Sequence, residues 1–204
     1  MNARVLLVAC IALQLSGCGA WKRFAYEGFG RDSWQRPDEV IALLGLAEGD
    51  TVADLGAGGG YFTFRLAAAV GDGGRVYAVD VDDDMLAYLR ERVADDEIAN
   101  VEVVRGEFHD PMLPDGEIDL LFTSNTYHHI EDRSSYFAGV LTDLVPNGRV
   151  AILELKDHSW FPRTFGHWTP KQDIVDEMTA AGYELVGDHD VVERQHFLVF
   201  RPKD

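Results

Sequence analysis

A glycine-rich loop between two apolar runs is the feature that most constrains how this chain folds. The first run, Thr51–Leu55, leads into a loop with four glycines in five residues, positions 56–60. A helix-like stretch and a second apolar run, Arg75–Val79, follow, and Asp80 comes directly after that run. The pattern predicts a β-α-β unit in which backbone can approach a ligand closely and a carboxylate lies at the tip of the second strand. Such a unit suits a nucleotide-like ligand, because the carboxylate can accept hydrogen bonds from a ribose diol.

Strands and helices alternate along the chain in a regular order. The sequence predicts strands at 51–55, 75–80, 101–105, 118–123, 149–155, 183–186 and 196–200, and helices that begin at Arg36-Pro37 and span 61–70, 83–94, 134–144 and 171–181. The turn Pro146-Asn147-Gly148 is expected to lead into the fifth strand. Alternation of this kind predicts an α/β, Rossmann-like, doubly wound fold with a mostly parallel seven-stranded sheet. The last two strands have no helix between them, so they are expected to form an antiparallel pair at the C-terminus.

The overall charge bears on the partners of the chain. The 204 residues carry 18 Lys and Arg against 35 Asp and Glu, for a net charge of −17, and no basic cluster stands out. Because most of such a surface would repel a phosphate backbone, nucleic acid is not an expected partner. The length suits one domain with a sizeable core, and no repeat or low-complexity linker divides it.

The first 18 residues have the pattern of a lipoprotein signal peptide. Arg4 precedes an apolar run, Val5–Leu15, which is too short for a comfortable membrane-spanning helix. Leu15-Ser16-Gly17-Cys18 resembles a bacterial lipobox, in which the cysteine becomes the lipidated first residue. A poorly chosen start codon and an uncleaved hydrophobic tail are the alternatives. With a functional signal, the expected location is the bacterial cell envelope, anchored to the membrane by a lipid on Cys18; without one, it is the cytoplasm.

The sequence therefore divides into three segments. Residues 1–18 form the lipoprotein-like signal segment, residues 19–36 an aromatic-rich N-terminal arm, and residues 37–204 the folded domain. Both cysteines, Cys10 and Cys18, lie in the first segment. The rest of the chain has no cysteine for a disulfide, a thiol nucleophile or a metal site.

Three features of residues 36–204 point to one family. Asp54-x-Gly56-x-Gly58-x-Gly60 is similar to a first motif, and Asp80 stands where that family has a ribose-binding acid. Asn147-Gly148-Arg149 is similar to a late Pro-Gly-Gly-type turn, with Asn replacing one Gly. With the terminal strand pair, these features make the chain resemble a class I S-adenosylmethionine-dependent methyltransferase, of the type 11 or type 25 kind.

A nicotinamide dinucleotide site is the main alternative for the glycine loop. Its fingerprint, G-x-G-x-x-G, would need a glycine at position 61 or 63, where this chain has Tyr61 and Thr63. The spacing therefore disfavours a nicotinamide oxidoreductase.

The resemblance implies S-adenosylmethionine as the cofactor and a set of residues that hold it. Asp80 would accept hydrogen bonds from the ribose hydroxyls, and Glu107 would bind the exocyclic amine of adenine. Other residues are implied beside the methionine part, near the adenine or after the fourth strand. They are Asp54, Gly56, Gly58, Gly60, Val81, Phe108 and Asn125. A structural role stays open for three of them, with Asp54 as a loop cap, Val81 in the core and Phe108 in packing.

Two adjacent histidines follow the fourth strand, at the edge where ligands bind in such sheets. His128 and His129 are the candidate catalytic residues, because an imidazole near its titration point can take a proton from a methyl acceptor. Packing on the next helix, or a hydrogen bond to a carbonyl group, is the alternative for either of them. His109 and Asp110 also have ligand chemistry, but no recognisable spacing links them to the histidine pair, so no metal is expected.

Two irregular segments are further candidates for the walls of the site. In the arm, Arg31 or Arg36 is a candidate for the methionine carboxylate and Trp34 for closing the pocket, with a surface arm and a buried tryptophan as the alternative. The aromatic-rich loop 156–168 is expected to shape the acceptor pocket or to be held by its own aromatic residues.

The expected function is transfer of a methyl group from S-adenosylmethionine to an unidentified acceptor. A small molecule is the expected acceptor and a protein is the second choice, because the fold does not select among acceptors. The alternative function is a lipid-anchored cofactor-binding or scaffold protein without turnover. A lipid on Cys18 would favour this alternative by placing the domain away from the cytoplasmic cofactor pool.

Overall fold

The structure is a computed structural model that describes residues 30–156 and 168–203. The signal segment, the arm as far as residue 29 and the loop 157–167 lie outside the described residues, so the expectations for them stay predictions. Within the described ranges, no helix combines the length and the apolar character that crossing a membrane requires.

Seven strands and six helices make up the described part of the chain. The strands are β1 (Thr51–Leu55), β2 (Arg75–Asp80), β3 (Val101–Arg105), β4 (Ile118–Ser124), β5 (Leu144–Leu155), β6 (Tyr183–His189) and β7 (Gln195–Pro202). The helices are α1 (Arg31–Gln35), α2 (Pro37–Leu44), α3 (Thr63–Val70), α4 (Asp83–Asp95), α5 (Arg133–Val140) and α6 (Lys171–Ala180). A 3₁₀ turn, Tyr127–His129, follows β4.

All seven strands join one sheet in the order β3-β2-β1-β4-β5-β7-β6. Five neighbouring strands, β3, β2, β1, β4 and β5, are parallel to one another, whereas β7 runs antiparallel to both β5 and β6. The predicted α/β, doubly wound fold with an antiparallel C-terminal pair is therefore confirmed. The strand order reverses between β1 and β4, and this reversal leaves a crevice at the carboxyl ends of the strands.

The start of β5 differs from the prediction. The sequence predicts a helix as far as Leu144, but that residue is the first of β5. Leu144 pairs with Ile118 of β4 and the register then shifts, so the Pro146–Gly148 segment is an irregularity within the strand rather than a turn before it. A Cβ at Gly148 would lie 2.8 Å from the carbonyl oxygen of Ile118, which explains the glycine at this close approach. The other predicted boundaries differ from the structure by a few residues at most.

Two apolar clusters cover the two faces of the sheet. One packs α5 and α6 against the sheet, with Phe137 and Met178 fully buried. The other packs α2, α3 and α4 against the opposite face, with Val40, Leu66 and Leu89 fully buried. Because helices cover both faces, the carboxyl edge of the parallel strands is where a ligand can reach the sheet.

Candidate functional site

A cleft of about 630 Å³ opens at the carboxyl ends of β1, β2, β3 and β4. It lies beside the point where the strand order reverses, and its volume is in the range of small-molecule sites. The lining residues are Arg31, Trp34, Asp54, Leu55, Gly56, Ala57, Gly58, Gly59, Tyr61, Phe62, Val79, Asp80, Val81, Asp82, Gly106, Glu107, Phe108, Ser124, Asn125, Thr126, His129, Ile130 and Tyr136. All of the predicted cofactor-binding residues except Gly60 are among them, and of the two predicted catalytic histidines only His129 is.

The glycine loop packs so closely that a side chain at Gly56 or Gly60 would clash with its neighbours. Gly56 and Gly60 have φ angles of 77° and 83°. A Cβ at Gly56 would lie 2.0 Å from Oγ1 of Thr126, and a Cβ at Gly60 would lie 2.3 Å from the ring of Phe64. The N–H of Gly56 donates to the carbonyl oxygen of Val79 at 2.8 Å, which holds the loop against β2. Gly60 does not line the cleft; its missing side chain lets the loop pack closely against Phe64 of α3.

Asp80 ends β2 and joins two backbone segments at the cleft. Its Oδ2 accepts a hydrogen bond from the N–H of Gly58 at 2.7 Å, and its Oδ1 accepts one from the N–H of Asp82 at 2.9 Å. A carboxylate has about four lone-pair sites, so it can still accept hydrogen bonds from the hydroxyls of a ligand. Asp80 thus fixes the glycine loop in addition to facing the cleft, a role that the sequence did not predict.

Asp54 is buried at the end of β1, with 3% of its surface exposed. Its Oδ2 accepts a hydrogen bond from the hydroxyl of Thr63 at 2.6 Å. Burial raises the pKa of Asp54 to about 6; the charge of Asp80 adds to the rise, whereas Thr63 and the guanidinium of Arg31 oppose it. A cation in the cleft would therefore favour the charged form of Asp54.

Helix α1, which the sequence did not predict, forms one wall of the cleft. The buried Gln35 donates from Nε2 to Oγ of Ser124 at 3.0 Å, which ties the helix to the end of β4. The guanidinium carbon of Arg31 lies 3.8 Å from the ring centroid of Tyr61, and burial lowers the pKa of Arg31. Trp34 lines the cleft from the same helix. A cation and an aromatic ring therefore border the cleft at α1.

The part of the cleft next to β2 and β3 has an apolar rim. Val81 and Phe108 line it and are 39% and 77% exposed. Glu107, which directly precedes Phe108, also lines the cleft. Its N–H donates to the carbonyl oxygen of Asp110 at 2.8 Å in a tight turn. Exposed apolar surface beside a carboxylate suits a heteroaromatic ring that carries an amine.

The loop after β4 brings Asn125 and the two histidines into different surroundings. Asn125 lines the cleft with a φ of 57°, and its Oδ1 accepts a hydrogen bond from Nε2 of the buried Gln195 at 2.7 Å. His129 lines the cleft, but His128 does not. Instead, Nδ1 of His128 lies 2.8 Å from Oε1 of Glu154, a fully buried residue of β5. Of the predicted histidine pair, one member faces the cleft and the other contacts a buried carboxylate.

A second cleft of about 630 Å³ adjoins the first. Its lining residues are His128, His129, Ile130, Glu131, Asp132, Arg133, Ser134 and Glu177. His129 and Ile130 line both clefts, so the two clefts share a boundary. Arg133 donates two hydrogen bonds of 2.7 Å to Glu177, and the hydroxyl of Tyr127 donates a third at 2.8 Å. Burial raises the pKa of Glu177, but these hydrogen bonds outweigh burial and leave the pKa below its ordinary value.

Some predicted residues do not join either cleft. Arg36 donates to the carbonyl oxygen of Val191 at 3.0 Å and does not line the first cleft. His109 lines neither cleft. In the ranges 30–156 and 168–203, no group of three or more His, Cys, Asp or Glu residues is placed to hold a metal ion. Most of the loop 156–168 lies outside the described residues.

Sequence reasoning assigned no individual role to Thr126 and Tyr136, which line the first cleft, or to Glu154, which contacts His128 behind it. Thr126 is the side chain that a Cβ at Gly56 would meet, and no local pattern relates the two. Tyr136 lines the first cleft from α5. Glu154 is visible in the sequence only as one acid in the otherwise apolar run from Ala151 to Leu155. An acid in a buried strand is a signal that it has a partner, because an unpaired buried carboxylate is costly.

Comparisons with known proteins point to one family. Residues 46–195 match the profile of a family described as "Methyltransferase domain". The chain is similar to an arsenite methyltransferase from Halobacterium salinarum, with 32% identity over 121 residues, which are 59% of this chain and 31% of the relative. It is also similar to the ubiquinone/menaquinone biosynthesis C-methyltransferase UbiE from Enterobacter sp., with 32% identity over 135 residues, 66% of this chain and 48% of the relative. The chain thus spans less than half the length of these two curated relatives.

A solved structure extends the similarity to the whole fold. The crystal structure of a SAM dependent methyltransferase from Aquifex aeolicus superposes with a TM-score of 0.81 at 25% identity. The superposition covers 88% of this chain and 96% of that one.

Proposed function

Because this chain belongs to the methyltransferase-domain family, we propose that it transfers a methyl group from S-adenosylmethionine to a small-molecule acceptor. Membership rests on the match over residues 46–195, which is most of the chain. The family and the fold shared with the Aquifex aeolicus protein make it a S-adenosylmethionine-dependent methyltransferase. The acceptor is the part of the proposal that goes beyond the family.

The residues of the first cleft fit the cofactor. When bound, S-adenosylmethionine supplies a methyl group activated by a sulfonium, which leaves as a neutral thioether. One observation carries the proposal. Asp80, at the tip of β2, can still accept hydrogen bonds from a ligand, and it lies beside a loop in which a Cβ at Gly56 would clash with a neighbouring side chain. A carboxylate next to unobstructed backbone is what a ribose and an extended amino-acid chain require.

The other lining residues match the remaining parts of the cofactor by their chemistry. Asp54 and Arg31 carry opposite charges, which suit the ammonium and the carboxylate of the methionine part. Val81 and Phe108 offer apolar surface for adenine, and Glu107 offers a carboxylate for its exocyclic amine. The role of the protein in the reaction is to align donor and acceptor, because the activated group belongs to the cofactor.

An organic small molecule is the acceptor that the chain favours. The two curated relatives are named for arsenite and for the biosynthesis of ubiquinone and menaquinone. Arsenite is a soft species that thiolates bind well, and both cysteines of this chain, Cys10 and Cys18, lie in the predicted signal segment. We therefore place an organic acceptor ahead of arsenite, and a protein acceptor behind both.

Calorimetric titration of S-adenosylmethionine into the purified chain tests the proposal. We expect binding of this compound and of its product S-adenosylhomocysteine, with protection from thermal unfolding, and no binding of NAD. Neither heat nor thermal protection with S-adenosylmethionine would refute the proposal. Release of S-adenosylhomocysteine in the presence of small organic acceptors then distinguishes an enzyme from a binding protein without turnover.

We also propose that a lipid on Cys18 anchors the domain to the membrane of the cell envelope. The apolar run Val5–Leu15 and the lipobox-like Leu15–Cys18 support this location. Expression of the full chain and of Cys18→Ser, followed by membrane fractionation, tests it. The wild type should sediment with membranes and the variant should not; equal distribution of the two would count against a lipid anchor.

A further inference from the structure

A tyrosine hydroxyl faces the first cleft without a hydrogen-bond partner among the described residues. Tyr136 lines this cleft from α5, although only 5% of its surface is exposed. In the described part of the chain, the unpaired side-chain atoms that are sealed from solvent belong to Thr123, Glu154 and Gln195. The unpaired hydroxyl of Tyr136 is not one of them and is therefore accessible. Because the residue is otherwise buried and lines the cleft, the hydroxyl opens into the cleft.

The ring of Tyr136 is held by the core, which fixes the place of the hydroxyl. Tyr136 belongs to the apolar cluster that packs α5 and α6 against the sheet. Its ring meets the fully buried ring of Phe137 edge to face, with 5.5 Å between the ring centroids. A side chain that is already fixed loses little conformational freedom when a ligand binds to it. The hydroxyl is therefore a preorganised group of the cleft.

The hydroxyl belongs to the side of the cleft that the turn after β3 forms. A Cβ at Gly106, where this turn begins, would lie 2.8 Å from Cγ1 of Val79, so the turn packs on β2. Val79 is in the same apolar cluster as Tyr136. Burial raises the pKa of Tyr136, and the charge of Asp110 adds to the rise. Asp110 closes the turn by accepting a hydrogen bond from the N–H of Glu107, which itself lines the cleft.

A ligand that fills this side of the cleft has to satisfy the hydroxyl. Water can reach an accessible hydroxyl, but a ligand displaces that water, and a hydroxyl that is then left unpaired weakens binding. Val81 and Phe108 already offer apolar surface for a heteroaromatic ring, and Glu107 offers a carboxylate for its amine. The remaining polar groups on the amine side of adenine are ring nitrogens, which carry lone pairs and need a donor. The protonated hydroxyl of Tyr136 is such a donor.

We propose that the hydroxyl of Tyr136 donates a hydrogen bond to one of the two ring nitrogens that flank the exocyclic amine of adenine, while Glu107 binds the amine. The proposal rests on the methyl transfer proposed above, because it concerns the cofactor of that reaction. It adds a residue that recognises the base. The glycine loop and Asp80 face the methionine part and the ribose, and those contacts do not distinguish one base from another.

Two matched tyrosine variants of the purified chain separate ligand binding from structure. Tyr183 is also buried, but its hydroxyl donates to the carbonyl oxygen of Phe137 at 3.0 Å and it lines neither cleft. Tyr136→Phe should weaken binding of S-adenosylhomocysteine about 3–10-fold in calorimetry, the effect of one hydrogen bond. The Tm of ligand-free Tyr136→Phe should stay unchanged, because no hydrogen bond within the protein is lost. Tyr183→Phe should do the reverse, with a lower Tm and an unchanged affinity.

Deaza analogues of S-adenosylhomocysteine identify the nitrogen that the hydroxyl contacts. The 1-deaza and 7-deaza compounds each replace one of the two flanking nitrogens by a C–H group, which cannot accept a hydrogen bond. One of the two should bind the wild type about 3–10-fold more weakly than S-adenosylhomocysteine does, and Tyr136→Phe should weaken it no further. The other analogue should lose as much affinity in Tyr136→Phe as S-adenosylhomocysteine itself.

Three results would overturn the proposal. The first is equal affinity of Tyr136→Phe and the wild type for S-adenosylhomocysteine. The second is a loss of affinity in Tyr136→Phe that is undiminished with both deaza analogues, because the hydroxyl would then contact another part of the ligand. The third is a fall in the Tm of Tyr136→Phe as large as that of Tyr183→Phe, which would mean that the hydroxyl has a partner in the protein. A wild-type chain that binds neither S-adenosylmethionine nor S-adenosylhomocysteine is a different result, because it overturns the proposed function itself.

Discussion

Replacing Asp54 by asparagine is expected to stabilise the ligand-free domain at neutral pH. Burial raises the pKa of Asp54 from 3.8 to about 6. This difference of about two pKa units corresponds to about 3 kcal/mol, the free energy that folding loses by keeping the carboxylate charged. Asn accepts a weaker hydrogen bond from Thr63 than a carboxylate does, which costs about 1 kcal/mol. The net gain in the free energy of unfolding of Asp54→Asn should be about 2 kcal/mol.

The sign of the pKa shift fixes how this gain depends on pH. Between 3.8 and about 6, the folded state binds more protons at Asp54 than the unfolded state does. The free energy of unfolding of the wild type therefore falls as the pH rises through this range, and the loss is complete above the folded pKa. The advantage of Asp54→Asn should accordingly be largest at about pH 8 and smaller at about pH 5.

Thermal unfolding of the two proteins at both pH values measures the effect. A gain of about 2 kcal/mol corresponds to about 4–8 °C in Tm for a domain of this size. Thr63→Val is the matched control, because it removes the hydrogen bond that favours the charged form of Asp54. It should lower Tm more in the wild type than in the Asp54→Asn background. An equal gain at both pH values, or a loss of stability at about pH 8, would refute the reasoning.

The same variant should lose affinity for the cofactor. If the charged form of Asp54 helps to hold the cationic ligand, Asp54→Asn should weaken binding of S-adenosylmethionine by about 1–2 kcal/mol. The affinity of the wild type should likewise fall between about pH 8 and pH 5, as Asp54 gains a proton. Calorimetric titration at both pH values checks this; an unchanged affinity would remove Asp54 from the ligand-binding residues.

Three further variants, and one control variant, test other parts of the structure. Gly56→Ala places a Cβ 2.0 Å from a neighbouring hydroxyl oxygen and should abolish binding of S-adenosylmethionine in calorimetry. Gly116→Ala is its control, because Gly116 has a φ of 68° but open space around it. This control should lower Tm and leave binding unchanged. Asp80→Ala should weaken the same binding by about 1–3 kcal/mol, and full affinity would exclude a ribose contact. Glu177→Gln removes the charge that Arg133 pairs with and should lower the free energy of unfolding by about 2 kcal/mol in urea titrations; no change would mean that this ion pair does not stabilise the fold.

Local sequence pattern was sufficient to predict the sheet and the place of the first cleft. The apolar runs at 51–55 and 75–80 and the glycine loop between them are set by residues that are neighbours in the chain. Because the carboxyl ends of parallel strands meet at one edge, the position of Asp80 beside the loop follows from the order of the elements. The prediction was wrong at Leu144, where pairing with Ile118 of β4 outweighs the local helical pattern.

The tertiary structure alone decided which side chains meet at this edge. His128 and Glu154 are 26 residues apart in sequence, and Gln35 and Ser124 are 89 apart, yet each pair is hydrogen-bonded. Such pairs depend on the register between strands and on the path of the loops that follow them, and local residue patterns specify neither. The two histidines show this most clearly, because they are adjacent in sequence and their ring centroids lie 4.1 Å apart, yet they have different surroundings. His129 borders the cleft that fits the cofactor, while His128 contacts Glu154.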